Sequence, residues 1–560
     1  MKKRLLLPLI ALACAVILAA CSGGNKSDKN NNAATASEQS ESGSLANKGT
    51  AARNAYLEVL PSDAYAIIKL DLGNLLNKSE ILKQKAVKAL FEKKLAEVPE
   101  SIRPLLRSIY ENPNKSGINV NSPIYIAITN VDFRDGVNPS RAMVTMAISD
   151  VKALENSLST FMGAMPLNEK KNNMTYINTG DYRAEIAYDA DKIVIAVDEY
   201  RARVADYLNL APDAMAVKSM KYEQLFKEDK DLGVAVNLLP IINVLMNNSG
   251  MPEYKVFAET LMSDYALFVS LDFGKGSIDF VANSNIPVAY TSGFNKFLKK
   301  STKRHFEYVP HNSFAVLNSA VELKHIDITP VAKMKNLSRE EIAQVNALLR
   351  EINGDLTFAA WINGYNLEDR NNLQFMVALD CRDYSVFEVL KTFFGSEYDL
   401  KEVDKDVYAL NVNKRQVYNR YTYEYEYESD GYDYYLMYRD GAIMIMPENL
   451  YDILCYDTEE FRPLKKNIFQ NKVFASMENG LLVDPTPIRE ILSNRPLCRS
   501  TESDGDKILL DVLGMIKKLT VGFEFFKLDV SLELNDGNTN SLKAILNKAI
   551  SIGQQVSMSR

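Results

Sequence analysis

A phrase of fifteen residues occurs twice in this chain and limits its fold more than any other feature. It reads EVLPSDAYAIIKLDL from Glu58 to Leu72 and EYVPHNSFAVLNSAV from Glu307 to Val321, a spacing of 249 residues. Each copy sets a proline ahead of a polar pair and then alternates. Tyr65 and Ile67, or Phe314 and Val316, fall on one face of a strand. The phrase is read as the opening strand of two tandem copies of one unit.

The order of elements after each phrase agrees with that reading. In the first copy, apolar residues at Ile81, Val87, Leu90, Phe91 and Leu95 have helical spacing. Two strand-like runs follow, 123–129 and 142–149, joined as a hairpin. Asp150 then caps a helix carrying Val151, Leu154, Leu158 and Phe161, with Gly163 as its stop. In the second copy, Ser338 and Glu341 have capping-box spacing, and a hairpin runs from Leu356 to Leu379. The next helix carries Val386, Phe387, Leu390 and Phe394 and is expected to stop at Gly395. Short hairpins cannot join parallel strands. The expected class is therefore α+β, two tandem copies of a mainly antiparallel sheet with helices packed on one face. The expected boundaries are 1–20 for a signal peptide, 21–53 for a disordered tether, 54–302 for the first repeat and 303–560 for the second.

The N-terminus carries an address. Lys2, Lys3 and Arg4 precede an apolar run from Leu5 to Ala20, too short and too early for a membrane span. It ends in Leu18, Ala19, Ala20, Cys21. This resembles the bacterial lipoprotein signal, in which the chain is cut before the cysteine and the thiol becomes lipidated. Acyl chains on Cys21 contribute about 0.8 kcal/mol per buried methylene, enough for several chains to hold the protein on a membrane. After Cys21 the chain is rich in Ser, Asn, Gly and Ala, and it cannot bury enough apolar surface to fold. Ser22 is not the aspartate that marks inner-membrane retention, so the resemblance points to the outer membrane. Asp28 stands alone between lysines where surface-exported lipoproteins carry an acidic cluster, which points to the periplasmic face rather than the cell surface.

Charge excludes nucleic acid as a partner. The formal net charge is −7, and loss of Lys2, Lys3 and Arg4 takes the mature chain to about −10. Phosphate neutralisation needs clustered Lys and Arg that such a balance does not supply. With 47% hydrophobic and 24% charged residues, the chain can still bury sizeable cores.

Catalytic signatures are missing. The three histidines, His305, His311 and His325, form no zinc-spaced set, and no HExxH, GxSxG, P-loop or dinucleotide glycine pattern occurs. No cofactor or metal is implied. His311 and His325 read as a cap and a surface residue. Paired carboxylates for hydrolysis are defined by distance in space, so the sequence neither locates nor removes them. Cys381, Cys455 and Cys498 remain after Cys21; a bridge between Cys455 and Cys498 and three inert buried thiols are both open. The segment YTYEYEYESDGYDYYLMY, Tyr421 to Tyr438, puts Tyr421, Tyr423, Tyr425 and Tyr427 on one strand face. The expected turn is at Ser429, Asp430 and Gly431, with Tyr432 to Tyr438 as the return strand. Such a row stacks on sugar rings or simply pairs across the hairpin.

The lipoprotein start, the Asn/Ser tether, the chain length and the phrase with Pro61, Ala64, Tyr65 and Ala66 together resemble the uncharacterised lipoproteins of gut Bacteroides and Parabacteroides, classed as a domain of unknown function. The resemblance implies an envelope location and brings no catalytic residues. The functional expectation is a non-enzymatic binding or structural lipoprotein, joined to the membrane through its N-terminal lipid. Its partner would be a glycan, a peptide or an envelope protein. The alternative is a carboxylate-dependent envelope hydrolase.

Overall fold

Alternation of apolar residues along short strands produces antiparallel sheets whose two faces are both covered. The computed structural model describes residues 55–132, 138–162, 169–171, 173–178, 183–239, 264–287, 298–310, 312–325, 338–362, 372–397, 399–411, 414–419, 424–429, 434–456, 479–494, 504–524 and 527–559. They form two compact units. The first comprises the chain up to Asn285 together with the segment from Asn538, and the second runs from Ile286 to Gly537.

The first unit contains β1 (Ala66–Leu70), β2 (Ile124–Asp132), β3 (Asn138–Ala147), β4 (Glu169–Lys171), β5 (Met174–Asn178), β6 (Ala184–Tyr188), β7 (Lys192–Asp198), β8 (Leu232–Asn237), β9 (Ala266–Phe273) and β10 (Ser277–Ser284). Antiparallel pairing orders them β4-β5-β6-β7-β3-β2-β1-β8-β9-β10. Helices α1 (Leu72–Ser79), α2 (Lys85–Leu95), α3 (Arg103–Glu111) and α4 (Val151–Met162) follow or interrupt the strands. Leu72, Ile109 and Leu154 from α1, α3 and α4 pack with Val144, Met146, Ile186 and Ile193 on one sheet face. On the other face Ile67, Ala127, Met143 and Ala235 meet Tyr56, Leu60 and Tyr222, which belong to irregular segments. Each fully buried aliphatic side chain of this kind contributes about 1.5–3 kcal/mol.

The second unit contains β11 (Leu298–Lys299), β12 (Ala315–Glu322), β13 (Ile352–Ile362), β14 (Leu373–Cys381), β15 (Asp399–Asp404), β16 (Val407–Asn411), β17 (Lys414–Asn419), β18 (Glu424–Ser429), β19 (Tyr434–Arg439), β20 (Ala442–Pro447), β21 (Asn479–Val483), β22 (Ile516–Glu524) and β23 (Lys527–Leu534). Its sheet runs β15-β16-β19-β20-β14-β13-β12-β21-β22-β23, again antiparallel throughout. Both repeated phrases thus enter as inner strands, flanked by the hairpin that follows them and by a strand from much later in the chain. Ile67 lies opposite Ala127 and Ala235, and Val316 lies opposite Ala359 and Leu482. Ala127 then faces Met143, as Ala359 faces Met376.

The α+β class and the antiparallel sheet stand as expected, while several finer expectations do not. Helices occupy both faces. Helices α5 (Arg339–Glu351) and α6 (Tyr384–Glu397) supply Leu348, Val386 and Phe387 to one core, and α7 (Glu448–Tyr456) supplies Leu450 to the other. The cause is continuity, since β20 ends at Pro447 and α7 begins at the next residue, Glu448. Gly395 lies inside α6 rather than ending it. The expected halves, 54–302 and 303–560, differ from the units at two places: the second unit begins at Ile286, and α8 (Ser541–Ser559) belongs to the first. Backbone bonds from Ser541 to Gly274 and from Gly276 to Thr539, with Asn540 Nδ2 donating to Phe273, fix that return. Asp150 does cap α4, its carboxylate accepting from Lys152 and Ala153.

Candidate functional site

A polar groove of about 510 Å³ opens in the first unit between α4 and the strands β4, β5 and β6. Its floor is a cross-strand row. Lys170 stands opposite Thr175, and Thr175 opposite Tyr188, so the three side chains project from one face. Helix α4 forms the opposing wall with Val151 and Glu155, one turn apart and therefore on the same side. Tyr188 Oη lies 3.3 Å from Glu155 Oε1, joining wall and floor. Asn173 adopts a left-handed φ of 63° at the turn from β4 to β5, a conformation asparagine tolerates.

The electrostatics separate structural groups from available ones. Burial first, then the negative field of Glu155, pushes the Tyr188 phenol up, against a hydrogen bond with Thr175 that lowers it. The ring stays a neutral hydroxyl, both donor and acceptor. Asp189 is spent on its own turn, accepting from the backbone N–H groups of Asp191 and Lys192 and pairing with Lys192 Nζ at 3.3 Å. One engaged carboxylate and one groove-facing carboxylate do not make an acid/base pair. The groove's exposed groups are the Glu155 carboxylate and the Lys170 ammonium, backed by the buried hydroxyls of Thr175 and Tyr188, a polar set that suits a ligand rich in hydroxyl groups.

Two further charged centres lie away from the groove. In the first unit Lys78 Nζ sits 2.7 Å from Asp231 Oδ2 and 2.6 Å from Asp272 Oδ1, and Asp231 also accepts from the Phe273 N–H. Burial raises the Asp231 carboxyl above its ordinary range. For Asp272 burial is outweighed by hydrogen bonds from Lys78 and Asp231, and its carboxyl is lowered. Two carboxylates pushed apart are the pattern of an acid/base pair. Here Lys78 occupies the space between them, so the arrangement is a closed charge triad.

In the second unit His305 is fully buried, with Nε2 2.9 Å from Asp380 Oδ1. Asp380 also takes the Asp355 N–H at 2.8 Å and the Arg304 guanidinium at 3.3 Å. Burial alone would raise its carboxyl, but these partners, His305 foremost, hold it below the ordinary range. The register slips between Ile352 and Leu356, and this irregularity opens the backbone that receives the carboxylate. Gly354, at φ +145°, lies where a Cβ would stand 2.3 Å from Asp380 Oδ2.

The sequence-predicted sites fare unequally. Cys21, Tyr421, Tyr423, Cys498 and His311 lie outside the described residues, and only the backbone is described for Cys455, His325, Tyr425 and Tyr427. The tyrosine strand does not pair as expected. β18 pairs with the preceding β17, setting Tyr425 opposite Tyr418 and Arg415 opposite Glu428. β19 joins the main sheet between β16 and β20, where Tyr435, Leu436 and Met437 are buried. The expected turn at Asp430 and Gly431 lies outside the described residues. Cys381 is buried and free, its thiol donating to the Asp383 carbonyl and pushed up by burial, so it is a poor nucleophile.

No groove residue was read from sequence as a candidate site; Val151 entered only as a core position of α4. Glu155 and Tyr188 are 33 positions apart, and no short motif joins them. Among the described residues no group of three or more His, Cys, Asp or Glu has metal-holding geometry. No helix among them is long and apolar enough to cross a membrane.

Comparison with known proteins adds a family and little else. No curated protein matches the chain. Crystal form III of TP0453 is similar at 10% identity and a TM-score of 0.23, over 43% of this chain and 88% of that one. Crystal form IV gives 11% and 0.22, over 42% and 83%. Scores of that size support no structural inference. A family model described as a domain of unknown function, DUF4836, matches residues 56–448, well over half of the chain, and the protein belongs to that family.

Proposed function

We propose that this is a lipid-anchored protein of the cell envelope that binds a glycan in the groove between α4 and β4–β6, without hydrolysing it. The observation that carries the reading is the row Lys170, Thr175, Tyr188 and Glu155, whose donors and acceptors alternate around one accessible carboxylate. Cys21, lipidated at the outer membrane and facing the periplasm, would keep this groove close to envelope polysaccharide. The body is proposed to have arisen by tandem duplication. The identical strand order of the two units and the matching neighbours of Ile67 and Val316 support this.

Glycan-array binding by the mature chain carrying Cys21→Ser tests the groove. Glu155→Gln and Tyr188→Phe are each expected to weaken binding by roughly tenfold, the loss of one hydrogen bond to a charged or buried partner. Wild-type affinity in both variants, with the fold intact, would remove the groove from the account. Equal loss in a variant with Tyr421, Tyr423, Tyr425 and Tyr427 changed to Ser would move the site to β18.

The anchor is tested separately. Cys21→Ser is expected to shift the protein from the membrane pellet to the soluble fraction after cell breakage, read by immunoblot. Unchanged partition would mean that the thiol is not the attachment point.

A further inference from the structure

We propose that the outer face of α2 rests on the anionic phospholipid surface of the membrane to which Cys21 tethers the chain, fixing how the first unit is presented. Between Lys83 and Lys94 five lysines face one glutamate, in a chain whose net charge is −7. Attraction to an anionic surface must therefore come from a local basic patch, with the acidic remainder repelled, and α2 supplies one. The helix is seated by its inner side. Leu95 is buried, Phe91 stacks on Tyr110 with centroids 4.0 Å apart, and Glu92 is held by Arg107 at 2.7 Å.

Its outer side is left over. Lys85, Lys88, Lys93 and Lys94 are exposed, and Leu90, expected from sequence to face the core, is 58% exposed beside Lys93 and Lys94, its neighbours one turn on. Lys94 pairs with Glu97 and Lys83 with Glu80, whereas Lys85, Lys88 and Lys93 enter no ion pair within 4 Å among the described residues. An exposed aliphatic side chain flanked by Lys93 and Lys94 on a helix fits an interfacial contact, with the apolar group entering the headgroup layer and the ammonium groups meeting phosphate. Geometry allows the contact. A Ser/Asn-rich segment of that composition, if it acts as the flexible tether expected from sequence, would span roughly 30 Å, and it leads into the same unit as α2.

This proposal shares the Cys21 anchor with the reading above, so its test removes the anchor. The mature chain with Cys21→Ser would be floated with vesicles of phosphatidylcholine alone or containing phosphatidylglycerol, at low and high salt. Binding is expected to the anionic vesicles only, to fall as salt rises, and to drop roughly tenfold in Lys85→Glu/Lys88→Glu/Lys93→Glu. The equally charged variant Lys115→Glu/Lys152→Glu/Lys227→Glu should keep most of it. Circular dichroism verifies that both sets fold. No binding, equal binding to both vesicle types, or equal loss in the two variant sets would overturn the proposal.

Discussion

Replacement of Gly117 by alanine is expected to cost the first unit about 4 kcal/mol, among the larger effects a single substitution produces. Gly117 has φ +87°, a left-handed conformation that already costs an L side chain about 1–2 kcal/mol. Its carbonyl accepts from the N–H groups of Ser149 and Asp150, so the entry to α4 is built on its backbone. A Cβ there would stand 2.2 Å from Leu154 N and 2.5 Å from Asp150 O, both main-chain atoms that no rotamer change can move. The helix start must shift, and Glu155 moves with it. The expected result is a urea midpoint displaced by that free energy and reduced binding in the groove. The exposed neighbour change Lys115→Ala should stay within about 0.5 kcal/mol. A Gly117→Ala loss below 1 kcal/mol would show that α4 can be re-seated and that the groove does not depend on this contact.

Asp380→Ala is expected to destabilise the second unit by about 3 kcal/mol. The carboxylate serves the fully buried His305, the Asp355 N–H and Arg304 together, and its removal leaves buried donors without acceptors. Its pH dependence has a fixed sign. Because the folded-state pKa of Asp380 lies below the ordinary value, the stability it contributes is fully present above an unfolded pKa near 3.9. That contribution fades as pH falls through the lower folded value. Unfolding midpoints at pH 7, 4 and 3 should therefore fall less steeply in Asp380→Ala than in the wild type, while Asp380→Asn lies between them at pH 7. Parallel acid limbs would mean that the aspartate does not titrate with folding.

What was legible in the sequence was local or periodic. Alternation in β1 and β12 is written in consecutive residues, and the Asp150 cap depends on neighbours two and three positions away. Leu90 fits a helical apolar spacing as well as Leu95 does. Which of the two is buried depends on where α3 lies, and that is not a property of the helix.

The same distinction divides the whole molecule. The sequence by itself determined the α+β class, the antiparallel connections and the two occurrences of the opening strand, because each rests on short-range steric preference or a contiguous signal. Only the tertiary structure decided the groove, the His305–Asp380 pair and the Lys78 triad. The contacts that close them, Tyr188–Glu155, His305–Asp380, Lys78–Asp231 and Lys78–Asp272, join residues 33 to 194 positions apart that tertiary packing brings together. It also decided the partner of the tyrosine strand. There, Tyr435, Leu436 and Met437 are buried where β19 joins the main sheet between β16 and β20, and the apolar area removed from water stabilises that pairing.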